Sequence, residues 1–293
     1  MVEYVAVATE QIVNVNGVEL CVQTFGDRSD PAILLIAGAT CSMDWWDEGF
    51  CQELADGRRL VIRYDLRDTG RSTTSTPGNP DYTLEDLTDD AIALVESLGL
   101  ATCHLVGTSM GGMIGQRFAL RRPELVASLT LLSTTPGQPG EPDLPPPDGR
   151  LFTYAERASV PDWQDRQQVI DFITRSQAAM AGPDSFDGSW ARQISGRCFD
   201  RSSSLAASQN HPMLLTAGSP RARLGEITLP TLIMHGTEDP LFPYGHAEAL
   251  HAEITGSTLI ALEGMGHQPP PPQTWDVVVP AILRHTGNDP AQR

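Results

Sequence analysis

Residues Cys103–Met113 read Cys-His-Leu-Val-Gly-Thr-Ser-Met-Gly-Gly-Met. The apolar pair Leu105-Val106 leads into Gly107-Thr108-Ser109-Met110-Gly111, and a helical stretch, Met113 to Leu120, follows. This is G-x-S-x-G between a candidate strand and a candidate helix. A sharp strand-to-helix turn lifts a serine hydroxyl clear of a sheet. A side chain at Gly107 or Gly111 would collide with a neighbouring element across so tight a bend. The helix N-terminus beneath Ser109 favours developing negative charge. A small-residue turn with an ordinary serine is the plainer alternative, so the rest of the chain must supply partners.

A serine nucleophile needs a base, and the base needs an orienting acid. Of seven histidines, His267 follows a predicted strand through Glu263-Gly264-Met265-Gly266, and Pro269–Pro272 stiffen the exit. A glycine-rich loop there lets an imidazole reach the serine, so His267 is the candidate base. His104 is expected to pack against or cap the nucleophile strand. His211, His246, His251 and His285 are expected to face solvent or fill core gaps, while His235 ends a strand and is a secondary candidate for lining the site. For the acid, the loop after Pro230–His235 reads Gly236-Thr237-Glu238-Asp239-Pro240. Asp239 is preferred because Pro240 fixes the turn and a short carboxylate holds an imidazole rigidly. Glu238 competes. The chain order Ser109, Asp239, His267 suits a serine set at a strand-to-helix elbow. The oxyanion donors expected are the backbone N–H groups of Met110, just after the serine, and Ala39, in Gly38-Ala39-Thr40 after the run Ala32–Ala37. Arg67 and Asp68 are assigned structural roles.

Strand and helix signals alternate along most of the chain. Gln11–Val15 and Val18–Phe25 flank Asn16-Gly17, a hairpin signal. Ala32–Ala37, Leu60–Tyr64, Ala127–Ser133, Pro230–His235 and Ser257–Leu262 read as further strands. Trp45–Ala55, Leu84–Leu98, Tyr244–Ile254 and Thr274–His285 read as helices. That order predicts an α/β fold with a mostly parallel central sheet and helices on both faces. The alternation breaks at Thr135. Residues 136–224 begin rich in Pro and Gly and then show only helical patches, at Leu151–Ala158, Gln164–Met180 and Trp190–Phe199. The expected organisation is a core of 1–135 and 225–293 with a helical cap of 136–224 over the carboxyl ends of the strands. Trp163, Phe172, Trp190 and Phe199 argue for a packed cap, and Trp190 is the first choice for a side chain facing the serine.

The chain carries 20 Lys and Arg against 37 Asp and Glu, a net charge of −17. Such a surface repels nucleic acid and anionic membrane, so neither is an expected partner. The five cysteines are odd in number and have no C-x-x-C spacing, which argues for reduced thiols. Glu3 and Glu10 stand where a basic-then-apolar signal region would be. A cytoplasmic location follows as the expectation.

Together these residues resemble the α/β-hydrolase superfamily over nearly the whole chain. The resemblance rests on Gly38-Ala39, Asp65-x-Arg67-x-x-Gly70-x-Ser72, Gly107–Gly111, Asp239 and Gly264-x-Gly266-His267. Within the superfamily, Arg63–Ser72, Ser42-Met43-Asp44-Trp45-Trp46 and the Gly264–His267 string running into prolines resemble the aclacinomycin methylesterase group. That resemblance implies hydrolysis of an ester, either a methyl ester or a lactone, in a bulky natural product such as a polyketide. It implies a small-molecule partner and no cofactor or metal. A macrolide-lactone esterase, a cofactor-free perhydrolase and a non-catalytic receptor share the scaffold. Many superfamily members have His-Gly before the oxyanion residue, whereas this chain has Ala37-Gly38.

Overall fold

A computed structural model describes residues 9–137, 140–215 and 218–287. Glu3 and the tail beyond Gly287 lie outside the described residues. The sheet starts from short apolar runs that cannot be left in water: all five residues of β3 (Ala32–Ile36) are buried, as are all five of β4 (Leu60–Tyr64) and all six of β5 (Cys103–Thr108). Burial on both faces is what a continuous rather than alternating run encodes.

The other strands are β1 (Gln11–Val15), β2 (Val18–Phe25), β6 (Val126–Leu132), β7 (Thr231–Gly236) and β8 (Thr258–Leu262). Their order across the sheet is β1-β2-β4-β3-β5-β6-β7-β8. Only β2 runs antiparallel to the rest: it pairs antiparallel with β1 on one side and β4 on the other, and the remaining neighbours pair parallel. Asn16 and Gly17 both have positive φ, as a tight hairpin requires.

The helices are α1 (Glu48–Asp56), α2 (Leu84–Ser97), α3 (Met110–Arg121), α4 (Gly149–Arg157), α5 (Arg166–Met180), α6 (Gly188–Arg201), α7 (His211–Leu214), α8 (Gly245–Glu253) and α9 (Trp275–His285). Side chains alternate across a strand, so β3 serves two cores. Leu34 and Ile36 join Leu87, Leu94, Ile114, Phe118 and Leu250, from α2, α3 and α8. Ile33 and Leu35 join Phe50, Leu54, Val278 and Ile282, from α1 and α9. Helices therefore cover both faces, as the sequence pattern predicts.

One helix starts later than expected. The stretch Trp45–Ala55 is divided, with a 3₁₀ turn at Met43–Trp45 and α1 beginning at Glu48. Asp47 accounts for the break, because its carboxylate accepts the Gly49 N–H and caps the helix there.

Between β6 and β7 lie α4 to α7. Asp148, Asp165 and Asp187 cap α4, α5 and α6 with their side chains, which sets where each begins. The segment is tied to the sheet by charge. Arg201, at the end of α6, donates to Asp65 through two bonds of 2.6 Å and to Asp44 at 2.8 Å. Asp65 is wholly buried and also accepts the N–H groups of Met43 and Arg71. Among the described residues no helix is long and apolar enough to cross a membrane. All five cysteines are buried and unbridged.

Candidate active site

Ser109 stands between β5 and α3 with φ 52° and ψ −119°. A non-glycine residue there is strained and persists only where its surroundings over-determine it. Here Ser109 N–H donates to Leu132 O at 2.9 Å, and the Thr134 hydroxyl donates to Ser109 O at 2.7 Å. A Cβ on Gly107 would lie 2.3 Å from Gly111 O, and one on Gly111 would lie 2.2 Å from Ile36 O. The two glycines of the motif are thus required by contact.

The Ser109 hydroxyl lies 2.9 Å from His267 Nε2. His267 Nδ1 lies 2.8 Å from Asp239 Oδ2. With Asp239 ionised, the network requires Nδ1–H to donate to the carboxylate and Nε2 to accept from the serine. Asp239 comes from the loop after β7, and its other oxygen accepts the N–H groups of Leu241 (2.9 Å) and Phe242 (2.8 Å). Glu238 is exposed, so the structure separates the two carboxylates and brings only Asp239 to the imidazole. Burial alone would raise the Asp239 pKa. The charge of His267 and hydrogen bonds from His235 and His267 outweigh it and hold the carboxyl well below the ordinary range. The Phe242 ring stands edge-on to His267, with centroids 5.2 Å apart.

His235, the secondary site candidate in β7, also reaches the acid. Its Nε2–H donates to Phe242 O at 2.7 Å and lies 3.3 Å from Asp239 Oδ2. It therefore approaches the same carboxylate oxygen as His267, fully buried, with its Nδ1 unpartnered among the described residues. His104 bonds Ser128 at 2.8 Å within the sheet, and His246 bonds Thr135 and Pro145 O, both at 2.9 Å. His251 bonds Ser257 at 2.9 Å, and His285 bonds Leu129 O at 3.2 Å.

Ala39 and Met110 flank the serine. Met110 opens α3, and N–H groups of a first helical turn have no intrahelical acceptor. Gly38–Cys41 form a turn closed by Cys41 N–H to Gly38 O at 3.2 Å, with Ala39 and Thr40 in its middle. A cavity of about 330 Å³ opens over Ser109 and His267. Its walls include Ala39 and Thr40 below and Met180, Pro212, Leu215 and Phe242 around. A second cavity of about 200 Å³ shares Thr40, Cys41, Ser176, Gln177 and Met180 with it and adds Trp45, Trp163 and Phe172.

Trp190, the first candidate for a cap side chain facing the serine, packs elsewhere. Its ring packs edge-on against Trp45 at 5.7 Å, and its N–H reaches Asp47 at 3.3 Å. It lines neither cavity, because α6 turns that face onto α1's cap. Arg67 and Asp68 hold structure, as expected. Arg67 forms a two-pronged pair with Asp90, and Asp68 accepts from Tyr82 and Asn210.

A family model described as the alpha/beta hydrolase fold matches residues 31–270, and the chain belongs to that family. Within it, the chain is 29% identical over 293 residues to rhodomycin D methylesterase DnrP of Streptomyces peucetius, covering 95% of this chain and 98% of that one. This agrees with the methylesterase resemblance drawn from the sequence. It is 28% identical over 259 residues to a putative carbamate hydrolase, RutD, of Variovorax paradoxus, covering 84% and 88% of the two chains. Among solved structures, the enol-lactonase from Burkholderia xenovorans LB400 matches with a TM-score of 0.71 at 21% identity, over 94% of this chain and 99% of that one. An esterase, RhEst1, from Rhodococcus sp. ECU1013 matches with a TM-score of 0.73 at 19% identity, over 96% and 100%. These two structures speak for the fold alone.

Proposed function

We propose that this ester hydrolase works by an acyl-enzyme mechanism on a bulky, largely apolar ester or lactone. Ser109 is the nucleophile, His267 the general base and acid, and Asp239 the orienting carboxylate. Ser109 gives its proton to His267 Nε2 as its oxygen attacks the ester carbonyl. The tetrahedral oxyanion accepts hydrogen bonds from the N–H groups of Ala39 and Met110. Its collapse breaks the C–O bond, and the leaving alcohol takes the proton from His267. Water, deprotonated by His267, then attacks the acyl group and frees Ser109. Asp239 stays ionised throughout and stabilises the imidazolium. Its depressed pKa suits that role.

The observation that carries the proposal is the unbroken relay from Ser109 through His267 to Asp239, at 2.9 and 2.8 Å, opening into an apolar cavity. A cavity of about 330 Å³ beside a second of about 200 Å³, with five wall residues in common, suits a drug-sized substrate. Residues 136–224 act as the cap, since Met180, Pro212 and Leu215 form walls over the serine. The named activity of the rhodomycin D methylesterases favours a polyketide-type methyl ester.

The test is a panel of natural-product esters and lactones incubated with purified protein and read by mass spectrometry. Hydrolysis adds one water; a methyl ester also releases methanol, whereas a lactone stays in one piece. Turnover that needs Ser109 supports the reading. Tight binding of a panel member with no turnover, activated acetate esters included, would replace the enzyme by a receptor on the same fold.

A further inference from the structure

The turn that carries Ala39 is held in a conformation its own sequence disfavours. Thr40 has φ 65°. The third position of a turn with positive φ normally takes glycine or asparagine, and a β-branched residue there is an outlier. Something outside the turn must hold it. Ala37, just before the turn, is buried and has no side chain able to do so.

The holding group comes from α7, 171 residues further along the chain. Thr40 N–H donates to His211 Nδ1 at 3.0 Å. His211 Nε2–H donates to Arg67 O at 2.7 Å. An imidazole that donates at Nε2 and accepts at Nδ1 is neutral and in one tautomer, so the two bonds require each other. The ring is wholly buried. Burial lowers its pKa, against opposing pulls from the Arg67 carbonyl and Asp68, which keeps the acceptor lone pair available. The residue before it is equally fixed. Asn210 donates to Asp68 at 2.8 Å and to Thr76 O at 3.1 Å, and accepts Gly78 N–H at 2.6 Å.

Taking the Thr40 N–H has a chemical consequence. Of the two central N–H groups of the turn, one is occupied by His211, and the Ala39 N–H has no acceptor among the described residues. We infer that His211 is a positioning residue for the oxyanion hole: it pins Thr40 so that Ala39 N–H stays aimed at the carbonyl oxygen under attack. This rests on the serine-esterase reading above. It also makes the oxyanion hole a joint product of sheet and cap, because the N–H comes from the loop after β3 and its brace from α7.

Three variants separate positioning from mere support. An asparagine oxygen takes the place of Nδ1 and keeps the acceptor for Thr40. A glutamine nitrogen takes the place of Nε2 and keeps the donor to Arg67. Turnover of a small activated acetate ester, inhibition by a boronic acid that forms a tetrahedral adduct on Ser109, and thermal melting are measured for each. His211→Ala is expected to lower kcat about ten- to a hundredfold with KM within about threefold, and to weaken the boronic acid by a similar factor. His211→Asn should recover kcat to within about threefold of wild type. His211→Gln should melt closer to wild type than His211→Ala, yet stay slow. Equal or greater kcat in the glutamine variant than in the asparagine variant would overturn the inference, and so would unchanged kcat in the alanine variant. In both cases Ser109-dependent turnover by the wild type leaves the esterase reading standing. A wild type without such turnover overturns both.

Discussion

The backbone N–H of His267 donates to the carbonyl of Met180 at 2.7 Å. Met180 is the last residue of α5, and its side chain lines both cavities. A Cβ on Gly266 would stand 2.3 Å from the same carbonyl, so only glycine allows the approach. The loop that presents the imidazole is therefore fastened to the segment that walls the pocket. Changes in that segment can reach both substrate choice and the geometry of His267.

Removal of the nucleophile should separate activity from stability. Ser109→Ala is expected to lower kcat by at least about 10⁴-fold while the melting temperature stays within about two degrees. Steady-state assays and a thermal melt on one preparation check it. Near-native turnover would exclude Ser109 as the nucleophile.

Asp239→Asn should cost about 10⁴-fold in kcat, because the amide favours the wrong tautomer of His267. Glu238→Gln should leave kcat within about twofold, since Glu238 is exposed and Asp239 alone reaches His267. The reverse result would shift the acid by one position.

Asp239 also predicts a pH dependence of stability. Its folded pKa is depressed, against about 3.9 for an unfolded aspartate. The stabilisation is then fully present above the unfolded value and is lost as pH falls below about 4 toward the folded value. Urea titrations of wild type and Asp239→Asn should show a stability gap that narrows on acidification from about pH 6 to about pH 3. A gap independent of pH would contradict the assignment.

Specificity should lie with the aromatics of the second cavity. Phe172→Ala and Trp163→Ala are expected to lower kcat/KM for a bulky ester several-fold more than for a small acetate ester. Trp190→Ala should instead chiefly lower stability and shift the ratio of the two rates less than Phe172→Ala does, because its ring lines neither cavity and packs on Trp45, a wall of the second one. Competition assays with paired esters decide between these outcomes.

Arg201→Met should destabilise the fold by about 3–5 kcal/mol, since it strands the buried Asp65 without its charge partner. Equilibrium denaturation measures it. A loss under about 1 kcal/mol would mean that Asp65 takes up a proton or finds another donor at little cost.

Local pattern carried much of this into the sequence. A run such as Ala32–Ile36 is too apolar to be anything but buried, and the spacing of such runs with amphipathic helices dictates a covered parallel sheet. Gly107, Ser109 and Gly111 define a turn by sterics that neighbours in sequence already impose. Ser109, Asp239 and His267 could be singled out because each follows a strand signal at the same end of that sheet. The aspartate capping α1 was also in plain view, yet the apolar Trp45-Trp46 masked it.

What the sequence could not contain was any contact that depends on how distant elements face one another. Asp239 and Glu238 are adjacent and chemically alike, and only the packing of the loop buries one and exposes the other. Nothing in the period of α6 tells which neighbour Trp190 meets. The pairing of Arg201 with Asp65 spans 136 residues, and that of His211 with Thr40 spans 171. Such partners are chosen by the closing of the β6–β7 segment onto the sheet, where burial makes an unpaired polar group costly and leaves few arrangements that satisfy every one.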